Sequence, residues 1–193
     1  MVANTNKSDI ELVEAFHSGD NKAFEALLNR YKDRLYSYIF SLVRDEQQAD
    51  DAFQDTFIKI INYIKAGKYS NQNRFLAFAM CIARNLIGDQ WRKDIKYPIV
   101  SIAPEDFYAL PVKNSHTVED DIIKDQTNIQ LKKMISKLPA AQCEVLRLRY
   151  YDELSFAEIA EITNTSINTA LGRMRYALIN LRKMAEVEEL AML

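Results

Sequence analysis

Between Glu161 and Glu186 the chain carries no acidic residue, while Arg173, Arg175, Arg182 and Lys183 all fall in that stretch. Guanidinium and ammonium groups repeated along one segment bind phosphate oxygens, which is the chemistry of nucleic-acid recognition. The rest of the chain does not share that sign, since 27 acidic against 25 basic residues give a net charge of −2. A second constellation is acidic: Asp50, Asp51, Gln54 and Asp55 put acceptor groups within two helical turns. Such a set suits a basic partner or a solvated face. To serve as the metal-binding carboxylates of a nucleic-acid enzyme it would need a His or Lys base beside it, and none accompanies it. A third set comprises Lys68, Tyr69, Asn73 and Arg74 in a polar stretch, followed by Arg84, Asn85, Arg92 and Lys93. Hydrolase, zinc-protease and phosphate-loop motifs do not occur, and four scattered glycines cannot build a phosphate loop. Cys81 and Cys143 stand far apart with no partner at ligand spacing and read as core thiols, while His17 and His116 suit surface or capping roles. No catalytic residue, cofactor or metal site is expected, and the chain does not read as an enzyme.

The elements that must position these groups are helical. Leu, Ile, Ala, Lys and Glu dominate, and strand-like alternation is hard to find, so the expected class is all-α. Ser8 and Glu11 have capping-box spacing, Gly19 offers a left-handed stop, and Asp20 and then Asp45 can cap the next two helices. Phe24, Leu27, Leu28, Tyr31, Leu35, Tyr38, Ile39 and Leu42 form one apolar stripe; Ala49, Ala52, Phe53, Phe57, Ile60 and Ile64 form the next. At about 100° per residue, Asp50, Asp51, Gln54 and Asp55 fall opposite that second stripe. "FLAFAMCIA", residues 75–83, is apolar all round, as a helix buried in a bundle would be, but falls short of the roughly 20 residues a membrane span needs. The amino-terminal stretch has no signal-peptide pattern, and a cytoplasmic location is expected.

From Tyr97 the helical period stops, and Pro98, Pro104 and Pro111 mark an extended acidic connector. The predicted division is a helical domain over 1–96, a flexible linker over 97–118 and a second helical domain over 119–193. In the second block, Pro139 suits the first turn of a helix, Ser155 and Glu158 form another capping box, and Asn164 can take the left-handed conformation of a tight turn before Ser166 caps the next helix. Helix, tight turn and helix is a DNA-binding arrangement. On the helix from Ile167, the residues Ile167, Ala170, Leu171, Met174, Ala177, Leu178 and Leu181 share an arc of about 120° and are predicted to be buried. Asn168, Thr169, Gly172, Arg173, Arg175, Tyr176, Arg182 and Lys183 fill the remainder. Gly172 costs about 1 kcal/mol of helix propensity relative to Ala, so it should serve a close backbone approach, to DNA or to another helix.

These residues resemble those of bacterial RNA polymerase sigma factors of the sigma-70 family, in the short extracytoplasmic-function (ECF) group. "QQADDAFQDTFIKI" is similar to the family's region 2.2 motif, which implies that Asp51, Gln54 and Asp55, with Asp50 beside them, contact the clamp coiled coil of core RNA polymerase. "FLAFAMCIARNLIGDQWRK" resembles regions 2.3 and 2.4. The likeness implies that Lys68, Tyr69, Asn73, Arg74, Arg84, Asn85, Arg92 and Lys93 engage the melted minus-10 element. "LPAAQCEVLRLRYYDELSFAEIAEITNTSINTALGRMRYAL" resembles region 4, which implies that Ser166, Asn168, Thr169, Gly172, Arg173, Arg175 and Tyr176 read the minus-35 element while the domain also meets the polymerase flap. The chain departs from the pattern at Asn164 for the usual turn Gly, at Ser166 for Pro, at Ala170 for Val and at Phe78 for Trp.

The resemblance thus implies a sigma region 2 bundle and a region 4 helix-turn-helix joined by the linker, binding core RNA polymerase and promoter DNA to start transcription. It also implies a location in the bacterial cytoplasm, nucleoid-associated when bound to polymerase, and an anti-sigma factor as a further partner, with no membrane insertion. Tyr69, Phe75 and Trp91 are aromatic candidates for stacking on melted DNA, Phe75 and Trp91 being equally suited to a core. The acidic linker is expected to thread the polymerase's RNA path as a nucleic-acid mimic. A stand-alone helix-turn-helix transcriptional regulator is the alternative; it leaves the acidic face and the "IARN" helix without a role.

Overall fold

The computed structural model describes residues 7–69, 74–93 and 130–191. The expected linker at 97–118, with Asn73 and His116, lies outside them. The chain divides into two compact units, Met1–Pro98 and Ile99–Leu193. All regular structure among the described residues is helical.

The first unit holds α1 (Asp9–His17), α2 (Asn21–Val43), α3 (Glu46–Lys65) and α4 (Phe75–Lys93). Each of the first three starts where a side chain can satisfy an orphan N–H. Ser8 and Glu11 complete a reciprocal capping box, Asp20 accepts from the Lys22 N–H, and Asp45 accepts from the Gln48 N–H. Gly19, at φ +105°, turns the chain out of α1, so any side chain there would be strained. α1 is fastened to α2 by the buried Asp9 carboxylate, which accepts from Arg30 Nη1 and from the Tyr31 hydroxyl, each at 2.6 Å. Its other end clasps α3: Nδ1 of His17 lies 2.9 Å from the Ile64 carbonyl. A carbonyl only accepts, so Nδ1 carries the proton and His17 caps the carboxyl end of α3.

The core of this unit is Leu27, Leu35, Tyr38 and Ile39 from α2, Ala49, Ala52, Phe57, Ile60 and Ile64 from α3, and Phe75, Ala79, Met80, Ala83 and Ile87 from α4. α4 is buried first and exposed later, as its composition requires. Phe75 is fully buried, stacked on Tyr31 at 5.5 Å, so its candidacy for stacking on DNA is withdrawn. Thr56, unforeseen in the apolar stripe, is buried and bonds its hydroxyl to the Ala52 carbonyl at 2.6 Å, which removes the cost of burying it.

The second unit holds α5 (helical over residues 130–136), α6 (Ala140–Tyr150), α7 (Phe156–Ile162) and α8 (Ile167–Ala191). Pro139 stands at the N-cap of α6, one residue before the expected first turn. α6 and α7 both pack on α8, and the buried Cys143 thiol bonds to the Ile135 carbonyl at 2.9 Å. Cys81, by contrast, is only half-buried. At the centre of this small core lie Arg147 and Asp152, almost wholly buried, with Nε and Oδ2 3.8 Å apart.

Candidate nucleic-acid interface and acidic docking face

The turn between α7 and α8 is built from hydroxyls. Thr163 Oγ1 bonds back to the Ile159 carbonyl at 2.8 Å, Thr163 and Thr165 hydroxyls meet at 2.9 Å, and Asn164 takes the left-handed conformation at φ 51°. Ser166 Oγ then accepts from the Thr169 N–H at 3.1 Å and meets the Thr169 hydroxyl at 2.9 Å. Two candidate reading residues are thereby tied to each other in the cap. α7 starts on the capping box of Ser155 and Glu158. Beside it Arg149 donates to the Leu154 carbonyl and lies 5.3 Å over the Phe156 ring.

α8 is rotated relative to the expectation. Ala170, Met174 and Ala177 are buried, but Ile167, Leu171 and Leu178 are 49%, 43% and 45% exposed. On the other flank Arg173 is half-buried, and Asn180 donates to Gln142 of α6 at 3.0 Å. The buried line of Ala170, Met174 and Ala177 is thus turned by roughly 30° from the centre of the apolar arc. The reason lies in the neighbours: α6 and α7 are short, their contact with α8 runs through small residues and the Asn180–Gln142 bond, and the apolar arc is wider than that contact. The uncovered part opens a groove lined by Phe156, Leu171, Met174, Leu178 and Ile179, with Arg175 and Arg182 along it. Asn168, Thr169, Arg175, Tyr176, Arg182 and Lys183 are exposed. Gly172 is half-buried, yet a Cβ added there would meet nothing within 4 Å. The alternative that Gly172 admits another helix is therefore withdrawn within this chain.

In the first unit, Asp50, Asp51, Gln54 and Asp55 are all exposed along α3, opposite the buried Ala49, Ala52, Phe57 and Ile60. Asp50 differs from its neighbours: it accepts a hydrogen bond from Tyr36 of α2, and desolvation together with that bond raises the Tyr36 hydroxyl above its ordinary pKa. It lies at the flank of the face, while Asp51, Gln54 and Asp55 form its centre.

The described members of the third set differ in exposure. Lys68 is exposed, and Tyr69 is half-buried, its ring edge-on to Phe78 at 4.8 Å and 6.2 Å from Phe75. Arg74 and Arg84 are half-buried; Asn85 is exposed, its amide 3.7 Å from Cys81 Sγ. Arg92 is exposed, and its guanidinium bonds to Asp89 at 2.7 Å and to the Gly88 carbonyl at 3.1 Å. Lys93 ends α4, and its side chain lies outside the described residues. Among the described residues no group of three or more His, Cys, Asp or Glu could hold a metal ion, and no helix is long and apolar enough to cross a membrane.

Comparison with known proteins follows the two units. The family model for sigma-70 region 2 matches residues 27–96, and that for sigma-70 region 4 matches residues 128–176. The ECF RNA polymerase sigma factor SigW of Bacillus subtilis is 28% identical over 178 residues, covering 89% of this chain and 93% of that protein. The ECF sigma factor BldN of Streptomyces coelicolor is 32% identical over 154 residues, covering 79% of this chain and 56% of that protein. In fold, the chain is similar to CnrH in its complex with the cytosolic domain of CnrY (TM-score 0.59, 20% identity, 94% of this chain and 99% of that one). It is likewise similar to the sigma factor RpoE of Bartonella quintana in complex with the anti-sigma factor NepR (TM-score 0.58, 22% identity, 86% and 98%). With both regions matched in order, the chain belongs to the sigma-70 family of RNA polymerase sigma factors, in its extracytoplasmic-function group.

Proposed function

We propose that this chain directs core RNA polymerase to promoters, as its family does, through three surfaces carried by named residues. The exposed acidic face of α3, centred on Asp51, Gln54 and Asp55 with Asp50 at its flank, docks on the basic clamp of the polymerase. Lys68, Tyr69, Asn73, Arg74, Arg84, Asn85, Arg92 and Lys93 engage the melted minus-10 strand; flipping a base out of the stack costs a few kcal/mol, which aromatic stacking and cations on the backbone offset. On α8, Asn168, Thr169 and Gly172 meet base edges and Arg173 and Arg175 meet phosphates, with Ser166 and Tyr176 at the margin. Exposure favours Arg175 over the half-buried Arg173 as the stronger phosphate anchor.

The working division is 1–96, 97–118 and 119–193, with the acidic connector between the two binding domains. The role is recognition without catalysis, in the bacterial cytoplasm and on the nucleoid while bound to polymerase. An anti-sigma factor as a regulator belongs to the same proposal. The observation that carries the reading is the pairing of an exposed carboxylate face on α3 with the basic part of α8 that precedes Glu186 and holds no acid, in a chain of net charge −2. A stand-alone regulator has no use for the first of these, and the region 2 match over 27–96 disfavours it.

In vitro transcription with bacterial core polymerase on genomic fragments tests the proposal. Protein-dependent start sites are expected, and they should be lost when Asp51 and Asp55 are both changed to Lys. Unaltered initiation by that folded variant would overturn the docking surface.

A further inference from the structure

The outward face of α3 is not purely polar. Ile58 stands on it, 56% exposed, apart from the Ala49 to Ile64 stripe that closes the bundle. At about 100° per residue it points within roughly 20° of Asp51, one turn beyond Gln54 and Asp55, and Asn62 follows on the same line. All of these are exposed. A lone apolar side chain at the surface needs no explanation in general. Ile58 differs from the exposed Leu131 or Val187 because polar residues proposed to dock surround it on one helix face. Protein interfaces are built in that pattern: a desolvated centre carries most of the binding energy, and a polar rim excludes water and sets orientation.

We infer that Ile58 is the buried anchor of the polymerase contact, and that the surface receiving it is a basic one with an apolar recess between its cations. This rests on the proposed docking of α3 and adds a division of labour to it. Asp51 and Asp55 act at long range: they speed encounter with a positive surface, and salt screens their effect. Ile58 acts only after contact, through area removed from water, so its effect appears in dissociation and changes little with salt.

The experiment measures association and dissociation of the full chain with core polymerase at low and high salt. Ile58→Ala should dissociate at least tenfold faster, with association and its salt dependence within twofold of the parent, and Ile58→Leu should retain most of the lifetime. Asp51→Asn with Asp55→Asn should slow association and flatten its salt dependence. Because Ile58 is exposed, thermal melting of both Ile58 variants should match the parent, which separates lost contact from lost fold. Unchanged dissociation in Ile58→Ala, alongside slowed association in the carboxylate variant, would overturn the anchor and leave the docking face standing. If neither variant altered binding, the docking face itself would fall.

Discussion

Gly172→Ala sets folding against function at one atom. Gly172 lies in the second turn of α8, and a Cβ built there has no heavy atom within 4 Å. No clash opposes the change, so intrinsic propensity decides it, and alanine is favoured over glycine in a helix interior by about 0.8–1 kcal/mol. For a unit of this size that corresponds to a rise in melting temperature of about 4–8 °C. The stabilisation comes with an opposite effect on recognition. If DNA comes close enough to touch the helix backbone at Gly172, the new methyl stands in its path, and a tenfold loss of minus-35-dependent binding, about 1.4 kcal/mol, is expected. Calorimetric melting of the whole chain gives the first number. Promoter binding by the reconstituted holoenzyme, on templates with and without a minus-35 element, gives the second. A lower melting temperature would refute the open-space argument. A higher one with unchanged minus-35 dependence would refute the claim that the glycine serves DNA approach.

Asp152→Ala should destabilise the second unit by about 3–5 kcal/mol, because it removes the buried carboxylate that stands 3.8 Å from the almost wholly buried Arg147 Nε; urea unfolding measures this, and a loss below 1 kcal/mol would show that the pair is dispensable. Tyr31 is pushed up to about 12, first by burial and then by its hydrogen bond to Asp9, from an ordinary value of 10.0. Its protonated hydroxyl therefore stabilises the first unit fully below pH 10, and that contribution is lost as pH climbs from 10 towards about 12. Tyr31→Phe should flatten the alkaline fall in the urea midpoint over that window, and identical slopes for parent and variant would dismiss the assignment.

Features set by neighbours along the chain were legible. Ser8 with Glu11, Ser155 with Glu158, Asp20 and Asp45 all cap as their spacing requires, and Asn164 turns left-handed where a tight turn needs it. The exposed acidic face of α3 was legible for the same reason, since one clean apolar stripe fixes its opposite. Tertiary choices were not. Arg44 and Glu153 adopt positive φ although neither type favours it, because the chain must turn there to pack the next helix. Nothing in the sequence singles out Arg147, yet it is buried, beside the Asp152 carboxylate that arrives only when the chain reverses after α6. On α8 the apolar arc is wider than the surface its two short neighbours cover, so the wheel limits which residues can be buried without selecting which are. The exposed Leu171 and the groove beside Phe156 were missed for that reason; their one sequence signal was an arc too broad for helices as short as α6 and α7.

The rotation of α8 also bears on how tightly the second unit can hold DNA by itself. With Arg173 half-buried, the cations fully presented by this helix are Arg175, Arg182 and Lys183. Neutralising three phosphates gives a salt slope of only about −2.7 on logarithmic axes, which is a weak electrostatic grip. Ile167, Leu171 and Leu178 add exposed apolar surface that phosphates do not reward. On the proposed reading the missing affinity comes from connection: once α3 is docked, the second unit meets its DNA site as an intramolecular partner, at an effective concentration set by the connector. The acidic face therefore does not oppose DNA binding by repulsion. On that reading it lets a chain whose α8 presents only three fully exposed cations act on promoters where polymerase already is, and a more basic α8 would weaken that dependence by holding duplex DNA unaided.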